Sequence, residues 1–413
     1  MKIKLTALEK QWILYDVGNS AFTMLTATIL PIYFNYLAES AGVSSVNYLA
    51  FWGYAASIST LLVAFLGPTL GSLADTQNFK KPLFLTVLLI GIIGCVSLGF
   101  TSSWLIFLIL YVITKTGYST SLIFYDAMLP DVTTEDRMDT VSSHGYAWGY
   151  IGSCIPFILC LVVVLGSDSI GLSMPSAMLA AFFITAVWWL GSSLPLLRNY
   201  QQKYFSAFRE KNIVRNSFLR LGNTLKEIVH EKHVFFFLLA FFFYIDGVYT
   251  IIDMATAYGQ ALGLDSTGLL LALLLTQIVA FPCALLFGSF SKKYNPATLI
   301  SICILAYLGI ALYAIGLDSQ RKFWILAILV GMFQGTIQAL SRSYFAKIIP
   351  AEKSGEYFGI LDICGKGAAF FGTFLVSFVS QLTGKANAGV GSLSLMFFLG
   401  LILFRKAVSL NKH

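Results

Sequence analysis

Charge is scarce in this sequence: Asp, Glu, Lys and Arg make up 11% of 413 residues, against about a quarter in a soluble domain. Histidine is scarcer, with four in all, and His230, His233 and His413 fall in the central polar stretch or the tail. No His/Asp/Ser or metal-binding cluster therefore stands at one depth, which argues against an intramembrane enzyme such as a head-group transferase. The six cysteines (Cys95, Cys154, Cys160, Cys283, Cys303, Cys364) stand singly in apolar runs without CxxC spacing, which excludes a zinc ribbon or redox pair. No GxxxxGK(S/T) loop is present, which argues against ATP-driven pumping by this chain alone. The outer loops are all short, too short for the soluble domain or recognition loop of a sensor or scaffold. The net charge of +7 is spread between apolar runs rather than gathered on one face. It suits a membrane surface and not a nucleic acid.

What the sequence has instead is apolar surface, 57% of its residues. A helix needs about 20 largely apolar residues to cross the hydrocarbon layer. Twelve such runs are predicted, at 12–37, 48–74, 82–101, 104–129, 142–165, 174–197, 233–259, 267–290, 297–317, 323–347, 357–382 and 391–408. The first carries Asp16 and Asn19 and is long, so it reads as a permanent helix rather than a cleaved leader. With the N-terminus in the cytosol, 21 of the 27 Lys and Arg flank the inner ends of the spans and three lie in outer loops. The positive-inside rule thus predicts cytosolic termini for a multi-pass protein of the cell membrane.

The stretch 198–232 is the longest polar one and separates two six-helix halves, 1–197 and 233–413. Within it Phe205, Phe208, Val214, Phe218, Leu221, Leu225 and Ile228 recur at helical spacing among basic residues. This pattern fits an amphipathic helix on the inner leaflet, with a basic tether as the alternative. The halves echo each other: LPDVTTEDRMDTVSSHGYAWGYIGS after span four matches IPAEKSGEYFGILDICGKGAAFFGT after span ten. Each has a Pro, an acidic turn and a Gly-rich helix start, the repetition expected of carriers that rock one half against the other.

The segment Gly71-Ser72-Leu73-Ala74-Asp75, followed by Lys80-Lys81, resembles the G-x-x-x-D-(R/K)-x-G-(R/K)-(R/K) motif of the major facilitator superfamily. That resemblance implies a cytosolic latch: Gly71 lets two helices approach, and Asp75, Lys80 and Lys81 hold them. Thr76 and Asn78 depart from the pattern, and in the second half Lys292 stands where the aspartate would be, which puts a second latch in doubt. Tyr15–Phe22, Tyr125–Asp131, Gly145–Gly152 and Gln338–Ser343 are similar to signatures of the vacuolar amino-acid effluxer-like family within that superfamily. The chain looks like a compact prokaryotic relative. The resemblance implies an all-α membrane fold of the major facilitator type and amino-acid efflux.

Charges in lipid are costly and mark pathways or partners. Eight fall within the spans: Asp16, Lys115, Asp126, Asp246, Asp253, Arg342, Asp362 and Lys366. Helical spacing groups Asp16 with Asn19, Thr23 and Thr26, Lys115 with Ser119 and Asp126, Asp246 with Tyr249, Thr250 and Asp253, and Gln334 with Gln338 and Arg342. Lys115 and Asp246 lie near the midplane, so they are the predicted substrate or proton groups, with Tyr249, Asp253, Gln334, Gln338 and Asn19 along the path. A permanent Lys115–Asp246 ion pair is the competing structural reading. Asp16, Asp126 and Arg342 lie nearer the cytosol and are predicted to close a gate there with the latch. Asp362 and Lys366, four apart, read as a structural ion pair, and His144 as an interfacial hydrogen-bonding group. The expected function is a permease for a small polar solute, an amino acid among the candidates, with proton coupling. Export of an amphipathic or lipid-like compound is the alternative. Its partners would be the solute, protons and membrane lipids; no cofactor or metal is called for, and a monomer is expected.

Overall fold

The computed structural model describes residues 4–43, 45–167, 169, 171–206 and 213–411. Its elements are helices throughout: α1 (Ala7–Ala27), α2 (Ile29–Ser40), α3 (Ser45–Ala74), α4 (Lys80–Ser97), α5 (Trp104–Ala127), α6 (Leu129–Val132), α7 (Met138–Leu165) and α8 (Met174–Asn199), then α9 (Ile213–His230). After these come α10 (Lys232–Ala261), α11 (Ser266–Phe290), α12 (Pro296–Ile315), α13 (Gln320–Ile348), α14 (Ser354–Thr383) and α15 (Ala386–Leu410). Eleven spans among the described residues have the length and hydropathy to cross a membrane, and the shorter apolar segment Phe371–Thr383 of α14 takes the twelfth place. Large apolar side chains such as Leu61, Phe65, Val162, Leu165 and Leu382 point outward. Such an apolar exterior has lipid, not water, as its solvent. The chain is a multi-pass membrane protein.

The first span is two helices. Pro31 stands four residues after Ala27, where its ring has no N–H to give and crowds the carbonyl one turn back. The chain breaks at Thr28, whose hydroxyl donates to Met24 O at 2.6 Å. Elsewhere apolar runs predicted at 104–129, 174–197 and 297–317 become α5, α8 and α12 almost residue for residue.

Helices α1, α4, α5, α7 and α8 pack chiefly among themselves, as do α10 to α15, while α3 packs on α5 of the first group and most extensively on α14 of the second. Two seams join the groups, α3 against α14 and α7 against α11 and α13. The echoed segments start the same way, with a short 3-10 turn (Glu135–Arg137, Ala351–Lys353) running into α7 and α14. Helix α9 rests on α3 and α10. Its Thr224 and Ile228 are turned inward while Leu225 and Val229 are exposed, as expected of a helix lying along a protein and membrane surface. Of the other residues in that amphipathic pattern, the side chains of Phe208, Val214, Phe218 and Leu221 lie outside the described residues, as does that of Lys366.

Candidate functional site

A cavity of about 160 Å³ opens where α5, α7, α10, α13 and α14 meet, lined by residues of both groups. At about 30 Å³ per water, that is room for roughly five waters. On α10 the lining residues Phe241, Ile245 and Tyr249 recur every four residues, one face of the helix. Gln338 and Arg342 of α13 do the same, and Asp126, Tyr146 and Asp362 complete the polar lining. Gly365 widens the wall: a Cβ there would lie 3.4 Å from the Phe241 ring and 3.8 Å from the Tyr249 ring.

The side of the cavity toward the chain termini is closed by Arg342. Its guanidinium leaves α13 and enters a pocket built by α1, α5 and α7. Nη1 donates to Asp126 Oδ1 at 2.9 Å, and Nη2 stands 3.6 Å from Asp16 Oδ2. Nε donates to Ser142 Oγ at 2.9 Å and Nη2 to Ser142 O at 3.1 Å. Ser142 in turn donates to Ala339 O at 2.7 Å. Trp12 and Tyr146 rings lie 4.6 and 4.4 Å from the guanidinium carbon, close enough for cation–π attraction. Space for the group comes from Gly145, where a Cβ would sit 2.7 Å from Asp16 Oδ2 and 3.1 Å from Nη2. The arginine's fork geometry suits this multiply bonded seat better than a lysine would.

Toward the same face, α3 and α14 touch backbone to backbone. A Cβ on Gly71 would meet Gly355 O at 2.2 Å, so only glycine permits the approach. Asp75 then caps α14, accepting from the amides of Gly355 at 2.8 Å and Glu356 at 2.9 Å. These amides are among those a helix N-terminus leaves unsatisfied, and they carry the positive end of its dipole. Burial pushes the Asp75 carboxyl up to about 7, against the pull of Lys80 and the two amides. Lys80 is fully buried and donates to Ser354 Oγ at 2.9 Å, Ala127 O at 3.2 Å and Asp131 Oδ2 at 3.4 Å, with Asp75 Oδ1 at 3.8 Å. The second seam repeats the close approach without the aspartate. A Cβ on Gly288 would meet Ser143 Cβ at 2.5 Å, and Lys292 is exposed. There Asp139 of α7 accepts from Ser343 Oγ and Lys347 Nζ of α13, both at 2.7 Å.

Other predicted residues fall elsewhere. Lys115 sits over the Tyr118 ring at 5.2 Å and within electrostatic reach of Asp253. Asp246 has no side-chain exposure and does not line the cavity. Its Oδ1 accepts from Thr250 at 3.2 Å, it packs on Gly372 of α14, and it makes no ion pair among the described residues. The Lys115–Asp246 pair is therefore absent. Asp246 follows Ile245 by one residue, which turns it about 100° from the cavity face. Asn19 is buried, donating to Tyr15 O at 3.2 Å and Asp16 Oδ1 at 3.3 Å. Gln334 donates to Gln277 Oε1 at 3.1 Å, and Gln338 to Tyr150 Oη at 3.3 Å. Lys81 is not part of the seal: it is turned outward and donates to Arg198 O at 3.4 Å within its own group. His144 Nδ1 lies 2.8 Å from Thr140 O, a local hydrogen bond.

Three contributors were not assigned to the pathway or the gate from the sequence. Tyr146 and Asp362 line the cavity, the latter having been read as half of a structural pair. Asp131 is a hub that accepts from Lys80, from the Tyr200 hydroxyl, and from the amides of Lys203 and Tyr204 at 2.9 Å each. The only signal for it was its place in the Tyr125–Asp131 run.

The family described as "Vacuole effluxer Atg22 like" matches residues 8–413. The MFS-type transporter YxiO of Bacillus subtilis (strain 168) is 41% identical over 408 residues, covering 98% of this chain and 95% of that one. In three dimensions the chain is similar to the E. coli fucose:proton symporter FucP, with a TM-score of 0.72, 15% identity and 97% of each chain covered. A bacterial homologue of the iron transporter ferroportin in an outward-facing state gives 0.73, with 14% identity, 97% of this chain and 99% of that one. At such identities the structures speak for the fold alone. The chain belongs to the vacuole effluxer Atg22-like family of major facilitator superfamily transporters, and is a carrier rather than an enzyme.

Proposed function

We propose that this carrier moves a small polar solute of amino-acid size across the cell membrane by alternating access, driven by protons, with both termini in the cytosol. The observation that carries this reading is the cavity shared by two groups of helices and shut toward the termini by bonds that run between the groups. Such bonds can break as a set when one six-helix half, 1–197, rocks against the other, 233–413, with 198–232 as their tether. In this orientation the structure is the state closed to the cytosol, and the surplus of Lys and Arg on that side supports it. The family's description as effluxers supports export as the direction.

Uptake into proteoliposomes under an imposed proton gradient, with a mixed panel of amino acids and organic amines, tests the proposal. Saturable accumulation that follows the gradient is expected, and it should be lost in Arg342→Gln, which unseats the cavity floor. Accumulation that ignores the gradient would remove the proton from the scheme. Saturable transport unchanged in Arg342→Gln would remove this cavity from it.

A further inference from the structure

We infer that the cavity floor is a seat for an organic cation, so that the solute carried is a protonated amine with a flat apolar body. The inference rests on the reading of this cavity as the transport site and names its substrate class.

The charge at the floor is unbalanced. Arg342 is flanked by two carboxylates, Asp126 and Asp16, so the cluster keeps one negative charge over. Arg342 itself is poorly placed to greet an anion. Its donors are directed to Asp126, Asp16 and both oxygens of Ser142, and rings lie against its faces. Asp126 differs: only Oδ1 is engaged by Arg342, and 27% of the side chain remains exposed, in a residue that lines the cavity. Asp362 of α14 lines the same space, within electrostatic reach of Asp126. No lysine is among the described lining residues. Lys115 stands eleven residues before Asp126 on α5, about 16 Å along the helix, beside Asp253. A carboxylate attached one carbon from an ammonium at Asp126 would meet no lysine among the described lining residues, and an arginine whose donors are already directed elsewhere.

The remaining wall suits the rest of such a solute. Phe241 and Tyr249 line the cavity next to a glycine, Gly365, which puts no side chain between their ring edges and the space. Aromatic faces attract cations, and more so away from water. A carboxylate accepting from an ammonium supplies the directional part of recognition.

Three probes with one aromatic body separate the charge classes: phenethylamine (cation), phenylalanine (zwitterion) and 3-phenylpropionate (anion). Binding to the purified full chain is measured by calorimetry, and uptake in proteoliposomes. The amine is expected to bind at least tenfold more tightly than either of the others. Asp362→Asn should weaken it about tenfold or more, the scale of one charged hydrogen bond, while Asp362→Glu restores it. Tighter binding of phenylalanine or 3-phenylpropionate overturns the cation seat and leaves the transport reading standing, as does binding of none of the three. Amine binding that depends on Asp362, without uptake under any gradient, keeps the seat and overturns the transport reading.

Discussion

Replacing Arg342 by Gln should open the face that carries the termini. The arginine makes an ion pair with Asp126 at 2.9 Å, a second contact with Asp16 at 3.6 Å and two hydrogen bonds to Ser142, all of them between helix groups. Its side chain is 5% exposed, so little water is at hand to replace these partners. Breaking a buried pair by removing one partner costs about 3–5 kcal/mol, largely because the other charge is stranded. Here two carboxylates are stranded near each other, and only while the face is closed, since opening hydrates both. The full cost therefore falls on the closed state. At 1.4 kcal/mol per factor of ten, the closed-to-open ratio should drop by about two to three and a half decades. Spin labels at Lys10→Cys and Glu352→Cys, exposed positions on the terminal side of the two groups, report this in a chain freed of its six native cysteines. The wild type should give one short distance and Arg342→Gln a longer, broader one. The double variant Asp126→Asn/Arg342→Gln, with one stranded charge fewer, should recover part of the closed population. An unchanged distance distribution in Arg342→Gln would refute the account of what holds the face shut.

Three further outcomes are expected. Gly71→Ala forces a Cβ to within 2.2 Å of Gly355 O, and overpacking of about 1–3 kcal/mol should part α3 from α14 and lengthen the same spin-label distance. Asp75 faces Lys80 from α4 and Glu356 from α14, and burial raises its carboxyl to about 7, against about 3.9 in water. The closed face thus holds the proton more tightly, so its extra stability is complete below about pH 4 and is lost as pH rises through about 7. The closed population should fall between pH 5 and 8 in the wild type and stay flat in Asp75→Asn. Glu227→Gln breaks the exposed ion pair from α9 to Lys353; exposed pairs contribute about 0–1 kcal/mol, so a melting temperature and a distance distribution like those of the wild type are expected.

The spans were legible because hydropathy acts on each helix separately: a run of 20 apolar residues must cross the bilayer whatever surrounds it. The break at Thr28 was legible in principle from Pro31, but the apolar run on both sides hid it. The seal was legible in part. Gly71 and Asp75 follow from a motif whose physics is local, a small residue for approach and a carboxylate for a helix start. Lys81 shares the motif with Lys80, yet a one-residue step on a helix turns a side chain by about 100°, and only Lys80 points into the seam.

That same rotation decides the site. Depth along a helix can be counted from sequence, and by depth Asp246 belongs at the midplane. Azimuth cannot be counted when a helix is apolar on every side, because lipid and cavity walls then draw on the same residue types. The polar positions of α10, Asp246, Thr250 and Asp253, form one stripe, while Phe241, Ile245 and Tyr249 form the cavity stripe beside it. Asp246 and Thr250 turn toward Gly372 of α14, whereas Tyr249, which spacing grouped with them, lines the cavity with Phe241 and Ile245. Asp362 shows the converse. Its spacing to Lys366 suggested a helix pair, but its cavity role depends on α14 standing beside α5 and α10, a fact of assembly that no single helix records. A polar stripe on a membrane helix therefore locates a partner, and the choice between a solute and another helix is made by the neighbour's smallest residues. Gly372 lets α14 close over Asp246, whereas Gly365, two turns earlier on the same helix, leaves Tyr249 facing open space.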